Sequence, residues 1–293
     1  MSTRILQQVR EAIRNLNPGE VRNAAERRLA IRLVAASEEG YAAMEEFLAP
    51  AGCSPARRTE ARGMLFRAGD AGAPGRFDLE IWEAGLEAPR EAFLFHPGKP
   101  ERTVAEILVR KEELGLALAR VLAPFRRPVV EKVIASISKE NALFALITAL
   151  PNIAPGLWEL PWGAAEAGSD TAFITVNQIR MLFLLAAAND RPVGYREQRA
   201  EIASVIAGAF GWRALARELV GKIPFGGGLI PKAAVAYAGT FVVGKSAERL
   251  YRIGYGYTRE ERRLAYQEAY ERGKHVARSL LEERRRQKRA ATG

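Results

Sequence analysis

The chain has 293 residues, 48% apolar and 27% charged, enough to bury one or two cores and too apolar for a disordered chain. Its 44 Lys+Arg against 34 Asp+Glu leave a formal charge of +10, which favours acidic partners such as an anionic membrane face or nucleic acid. A single cysteine, Cys53, excludes a disulfide framework, and with only two histidines, His96 and His275, it argues against a Cys/His zinc site.

The first residues, MSTRILQQVREAIRNLN, are charged throughout and lack the apolar core of a signal peptide, so export is not expected. Ile5, Leu6, Val9, Ile13 and Leu16 recur at helical spacing and predict a helix over 3–16, ended by Asn17-Pro18-Gly19. Leu29 to Ala35 reads as a short strand. Ser37 is placed to cap a helix over Glu38–Leu48, and Pro50-Ala51-Gly52 closes it. Gly69 to Gly75 is a loop. Phe77 to Trp82 alternates polar and apolar residues as a strand does, and Ala92 to His96 is a second short apolar run. Val104, Ile107, Leu108, Leu114 and Leu118 predict one helix over Thr103–Leu122. The expectation for residues 1–125 is a small α/β domain with about three strands.

Beyond Pro128 no strand is expected. Helices are predicted over Val129–Leu150, Asp170–Asn189, Arg196–Leu219 and Lys232–Leu250. Breaks fall at Pro151 and Pro155, at Arg191-Pro192-Val193-Gly194, and at Pro224 with the glycines that follow it. Thr258 to Arg289 is a densely charged helix with Leu264, Ala277, Leu280 and Leu281 on a thin apolar face. The expected fold class is mixed: a small α/β N-terminal domain, a larger all-α domain of apolar helical hairpins over 126–257, and a charged helical tail over 258–293.

Gly239-Thr-Phe-Val-Val-Gly244-Lys245-Ser246 spells the G-x-x-x-x-G-K-S of a phosphate loop. Such a loop needs a preceding strand, free backbone amides and a helix starting at the Lys-Ser, where Lys245 and Ser246 would hold phosphate and Mg²⁺. The interior Thr-Phe-Val-Val resists those turns. No aspartate follows Ser246, so the metal side would need Asp78 through a permuted arrangement. The competing reading is a helix in which Gly239 and Gly244 are packing positions and Lys245 is a cation at the helix's far end.

Two segments approach membrane character. Asn141 to Trp158 is uncharged but short and broken by prolines, and Ile223 to Gly244 is long enough but holds Lys232 and three glycines. They are either shallow membrane hairpins or the core of a soluble bundle. Tyr251, Tyr255 and Tyr257 stand where interfacial rings are common, and Trp158 and Trp162 are either an interfacial belt or core. The run Arg284 to Arg289 suits an anionic cytoplasmic leaflet.

Val176-Asn177-Gln178-Ile-Arg-Met181-Leu-Phe-Leu-Leu-Ala, the turn around Pro224 and Gly227, and the small-residue helix through Thr240 and Gly244 resemble a bacterial GTPase-associated helical domain of unknown function. The resemblance covers about 128–256. It implies an all-helical module of the kind that follows an Era-like GTPase domain or occurs in inner-membrane proteins. Asn177, Gln178, Met181, Pro224, Gly227, Thr240 and Gly244 fill its motif places. No catalytic residues are known for that family, so none carry over. Where a GTPase would place its phosphate loop, this chain has Ala36-Ser37-Glu38-Glu39-Gly40-Tyr41, without the lysine and with acids where phosphate would sit. The α/β domain is either a degenerate, non-hydrolysing GTPase remnant or a plain small α/β domain, the latter favoured because strand–turn–helix is common.

His96 has no paired nucleophile and Cys53 no motif, so no catalytic residue, cofactor or metal is expected. The expected protein is non-enzymatic and bacterial, in the cytoplasm or on the cytoplasmic face of the inner membrane, with membrane association favoured. It has an anionic membrane surface or a protein, a GTPase among the candidates, as partner, and nucleic acid is not expected. The alternative is a nucleotide-binding protein using Gly239, Gly244, Lys245 and Ser246.

Overall fold

The computed structural model describes residues 13, 16–149, 170–208 and 228–290. The helix expected over 3–16, Trp158, Trp162, Pro224 and Gly227 therefore lie wholly or mostly outside the described residues. The chain divides into two compact units, one formed by Glu20–Glu131 with Ala187–Pro192, the other by the remaining described chain.

The first unit holds a four-stranded sheet. Helix α1 (Pro18–Glu26) precedes β1 (Ile31–Val34). Helices α2 (Glu38–Leu48) and α3 (Pro55–Arg62) lead to β2 (Leu65–Arg67), followed by β3 (Leu79–Glu83) and β4 (Phe93–Phe95). All neighbouring pairs are parallel and the order is β2-β1-β3-β4, with Ile31 opposite both Leu65 and Leu79, and Ile81 opposite Phe93. Alternation places Ile31, Leu33, Leu79, Ile81, Phe93 and Phe95 in the core. Gly40, Met44 and Leu48, four residues apart, turn one face of α2 inward. Ser37 caps this helix as expected, its Oγ accepting the Gly40 N–H at 3.2 Å.

Three elements differ from anything the sequence pattern predicts. Helix α1 starts at Pro18, where a break is expected, and buries only Ala25. Helix α3, PARRTEAR, has only Ala61 buried, and strand β2 has three residues, all half-buried, so neither shows an apolar period. The single helix expected over Thr103–Leu122 is instead α4 (Pro100–Arg110), a 3₁₀ turn (Glu112–Leu114) and α5 (Gly115–Val121). In one straight helix Leu114 and Leu118 would both fall within about 20° of the buried Ile107, so the apolar spacing carries no sign of a break. The chain breaks at Lys111, with φ −133° and ψ 50°, and Leu114 and Leu118 are buried beyond it.

Helix α6 (Ala123–Ile147) begins before Pro128 rather than after it. The proline falls in the second turn, forfeits one backbone bond to residue 124, and the helix continues. Helix α7 is Asp170–Ala188, residues 199–208 form α8, α9 is Leu229–Ile253 and α10 is Arg259–Ala290. Residues 196–198, read as helix from the sequence, form a turn. No strand occurs after Pro128 among the described residues. The architecture is thus mixed, mostly helical with one small parallel sheet.

Helices α9 and α10 form an antiparallel hairpin. Gly273 lies against Ala234 and Tyr237, so close that a Cβ would stand 3.0 Å from the Ala234 carbonyl oxygen. Further along, Tyr266 and Ala269 pack on Ala238 and Val242. At the tip the Tyr257 N–H donates to Ser246 Oγ at 2.9 Å. The charged C-terminal helix is thus seated along α9 in the helical unit.

Candidate functional site

The helical unit is built around buried side chains that carry no charge but are strongly polar. Asn141 on α6, Asn177 and Gln178 on α7, and Thr240 on α9 are each at most 3% exposed. Asn177 Nδ2 donates to Asn141 Oδ1 at 2.9 Å, and Asn141 Nδ2 donates to Thr240 Oγ1 at 2.8 Å. Gln178 Nε2 reaches the same hydroxyl at 3.3 Å, and that hydroxyl donates to the Ala236 carbonyl at 2.9 Å. Buried amides carry a large desolvation cost unless paired, so these bonds fix which faces of the three helices meet.

One turn further along α7 and α9 lies a second layer. A Cβ on Gly244 would stand 2.9 Å from Ile134 Cγ1 and 3.0 Å from Met181 Sδ, so glycine lets α9 approach both neighbours. Ile134 precedes Asn141 on α6, whereas Met181 and Gly244 follow the polar residues of α7 and α9. Helix α6 therefore runs antiparallel to the other two. Ser138 lies between the two layers on α6, fully buried, its hydroxyl without a partner among the described residues. Arg180 Nη1 on α7 pairs with Glu140 on α6 at 3.1 Å.

Asn177, Gln178, Met181, Thr240 and Gly244, singled out from the sequence, thus meet at one place. Asn141, the hub of the bonding, was missed. Its signal was an uncharged polar side chain opening the apolar run Asn141–Ile147.

The α/β unit has its own candidate crevice. Parallel sheets of this order take ligands at the carboxyl ends of the strands, where the strand order reverses, here between β1 and β3. That position is filled by Glu83, the last residue of β3. Its Oε2 accepts the Ala36 N–H at 2.9 Å and would lie 2.6 Å from a Cβ at Gly40. The Glu39 carboxyl is held below its ordinary range by a backbone N–H and then by the Ser37 hydroxyl. Glu38 and Glu45 both pair with Arg67, at 2.7 Å each, and push its guanidinium further up. An anion approaching the start of α2 meets protein carboxylates already in place. Glu83 was missed because it lies in another strand, far along the chain from the turn it closes.

The phosphate-loop letters sit elsewhere. Gly239–Ser246 is helical throughout, and α9 begins upstream at Leu229. Its amides are committed to the carbonyls four residues back, so no free nest of N–H groups is presented. Ser246 Oγ is engaged by Tyr257. Asp78 pairs with Arg27 at 2.7 Å and accepts the Ala30 N–H at 3.0 Å. The helix runs on to Ile253, so Arg252, not Lys245, is the cation of its last turn. No group of three or more His, Cys, Asp or Glu with metal-binding geometry occurs among the described residues.

Among the described residues one helical window, Thr171–Ala188, is long and apolar enough to cross a membrane; its mean hydropathy is 1.5 and 72% of it is buried within the protein. A core helix passes the same test. Of the two segments picked from the sequence, the first is helical as far as Ile147 and the second from Leu229.

Comparison with protein-family models, with curated proteins and with solved structures returns no match to this chain.

Proposed function

We propose that this chain is a non-catalytic interaction module of the bacterial cytoplasmic membrane face. Its helical unit, built of apolar hairpins, resembles the GTPase-associated helical domain, and its α/β unit stands where a GTPase domain would precede it. The reading is carried by the meeting of Asn177, Gln178, Met181, Thr240 and Gly244 in one buried cluster. Motif places chosen from separate stretches of sequence come together in one packing arrangement, which is in keeping with the resemblance.

The α/β unit is then a relic that takes part in contacts rather than in hydrolysis. Glu83 supports this, because a carboxylate at the Ala36 N–H occupies the place where a phosphate would be received. Membrane association is supported by the +10 charge. The protein partner expected of such a module is a GTPase.

The test is binding of labelled GTP and ATP with Mg²⁺ by equilibrium dialysis, run beside recovery of the protein in a membrane pellet. The module reading expects no saturable nucleotide binding and membrane recovery. Saturable binding lost in Lys245→Ala would overturn it in favour of a nucleotide site at Gly239–Ser246.

A further inference from the structure

We propose that the tip of the α9–α10 hairpin is the surface that meets the membrane, inserting Ile253, Tyr255 and Leu264 among anionic lipid headgroups. This rests on the membrane reading above and names the site responsible. Among the described residues the large apolar side chains left exposed are Leu94, Val109, Tyr195, Ile253, Tyr255 and Leu264. Half of them fall at this one tip. Scattered exposed apolar residues need no explanation, but three within one short stretch of a hairpin's end do.

The tip is held in shape. Gly254 adopts φ +89°, ends α9 and donates its N–H to the Leu250 carbonyl at 2.8 Å. Thr258 and Glu261 exchange a capping box, with the Thr258 N–H to Glu261 Oε2 at 2.8 Å and the Glu261 N–H to Thr258 Oγ1 at 3.2 Å. Arg249 ties the two helices through Glu261 at 2.6 Å and lies over the rings of both Tyr255 and Tyr257. Ile253 and Tyr255 are thereby presented outward on an ordered turn.

Charge identifies the occupant. The tip's acids are already matched: Glu248 by Arg252 at 3.1 Å, Glu260 by Arg263 at 2.7 Å and Glu261 by Arg249. Lys245, Arg259 and Arg262 have no acidic partner among the described residues, and the two arginines are exposed. Exposed apolar and aromatic side chains on the same hairpin end as unmatched cations suit the boundary between anionic headgroups and acyl chains. A protein interface asks for some 20–30 residues a side, which a hairpin tip does not offer. Shallow insertion into a bilayer asks for far less.

The experiment is sedimentation of the full chain with phosphatidylglycerol-rich vesicles at about 0.1 M salt, where a Debye length of about 10 Å leaves surface attraction measurable. Two triple variants are compared with wild type, Lys245→Gln/Arg259→Gln/Arg262→Gln and Ile253→Ser/Tyr255→Ser/Leu264→Ser, with circular dichroism confirming that each keeps its helices. The charge variant should partition about a hundred-fold more weakly, the summed effect of three surface cations, and the apolar variant should also lose binding at high salt. If wild type binds and both variants bind equally well, the tip is not the contact, although the membrane reading stands. The tip is equally ruled out if binding is lost only in a variant with neutral residues at Arg284, Arg285, Arg286, Lys288 and Arg289. If wild type fails to sediment with the vesicles, both readings fall.

Discussion

Thr240→Val is the sharpest perturbation of the helical core, because it removes one hydroxyl and almost no shape. That hydroxyl accepts from Asn141 Nδ2 at 2.8 Å and from Gln178 Nε2 at 3.3 Å. Valine leaves both buried donors without this acceptor. An unsatisfied buried donor costs about 1–3 kcal/mol, and the longer bond belongs at the low end, so the variant should lose about 2–4 kcal/mol. No cavity opens, so none of this is a packing cost. Thr240→Ser is the matched control: it keeps the hydroxyl, drops one methyl and should lose about 1 kcal/mol. Urea unfolding followed by far-UV circular dichroism reads both. A cycle combining Asn141→Ala with Thr240→Val should show coupling above ~0.5 kcal/mol, as expected for contacting side chains. The reasoning is refuted if valine costs no more than serine, or if the two substitutions add independently.

Gly244→Val would force side-chain carbons into Ile134 and Met181, which already stand within 3.0 Å of a Cβ there; it should cost at least the ~1–3 kcal/mol of an overpacked core, and a neutral result in the same unfolding assay would mean the helices are not in close contact. Ser37→Ala removes the hydroxyl that takes the Gly40 N–H and should destabilise the α/β unit by about 1 kcal/mol, read by the fluorescence of Trp82 on β3. The Glu261 carboxyl is pulled down from 4.5 to about 2, first by Arg249 and then by the Thr258 N–H. A depressed acid stabilises the fold fully above its unfolded value and loses that contribution as pH falls through the folded one. The melting temperature of wild type should therefore approach that of Glu261→Gln as pH is lowered from 4.5 to about 2. A difference between the two that stays constant across this range would contradict the capping role.

Local chemistry was the most readable part of this chain. Ser37 before Glu38–Leu48 could be read, and the end of the helix expected over Asp170–Asn189 to within one residue, because a cap, a break and an apolar period act over a few residues. Strand β2 and helix α3 could not, since an edge strand of three half-buried residues and a helix with one buried alanine carry no period. The turn at Lys111 could not be read because Ile107, Leu114 and Leu118 keep one helical spacing across it, so the apolar pattern runs through the break. The same distinction applies to the sites. Asn177, Gln178, Met181, Thr240 and Gly244 were legible as motif places. Their hub Asn141 belonged to no motif, and Glu83 closes a turn in a different part of the chain. The phosphate-loop letters misdirect because two glycines five residues apart on a helix and a glycine-bracketed loop can share one string, while only the backbone separates them.

Fractionation of cells producing the full chain tests the central claim most directly. The account predicts that the protein is recovered with the cytoplasmic membrane at low ionic strength. A wash at about 1 M salt, where the Debye length shrinks to about 3 Å, should release a large part of it by screening the basic contacts. Recovery wholly in the soluble fraction at low ionic strength would contradict the account.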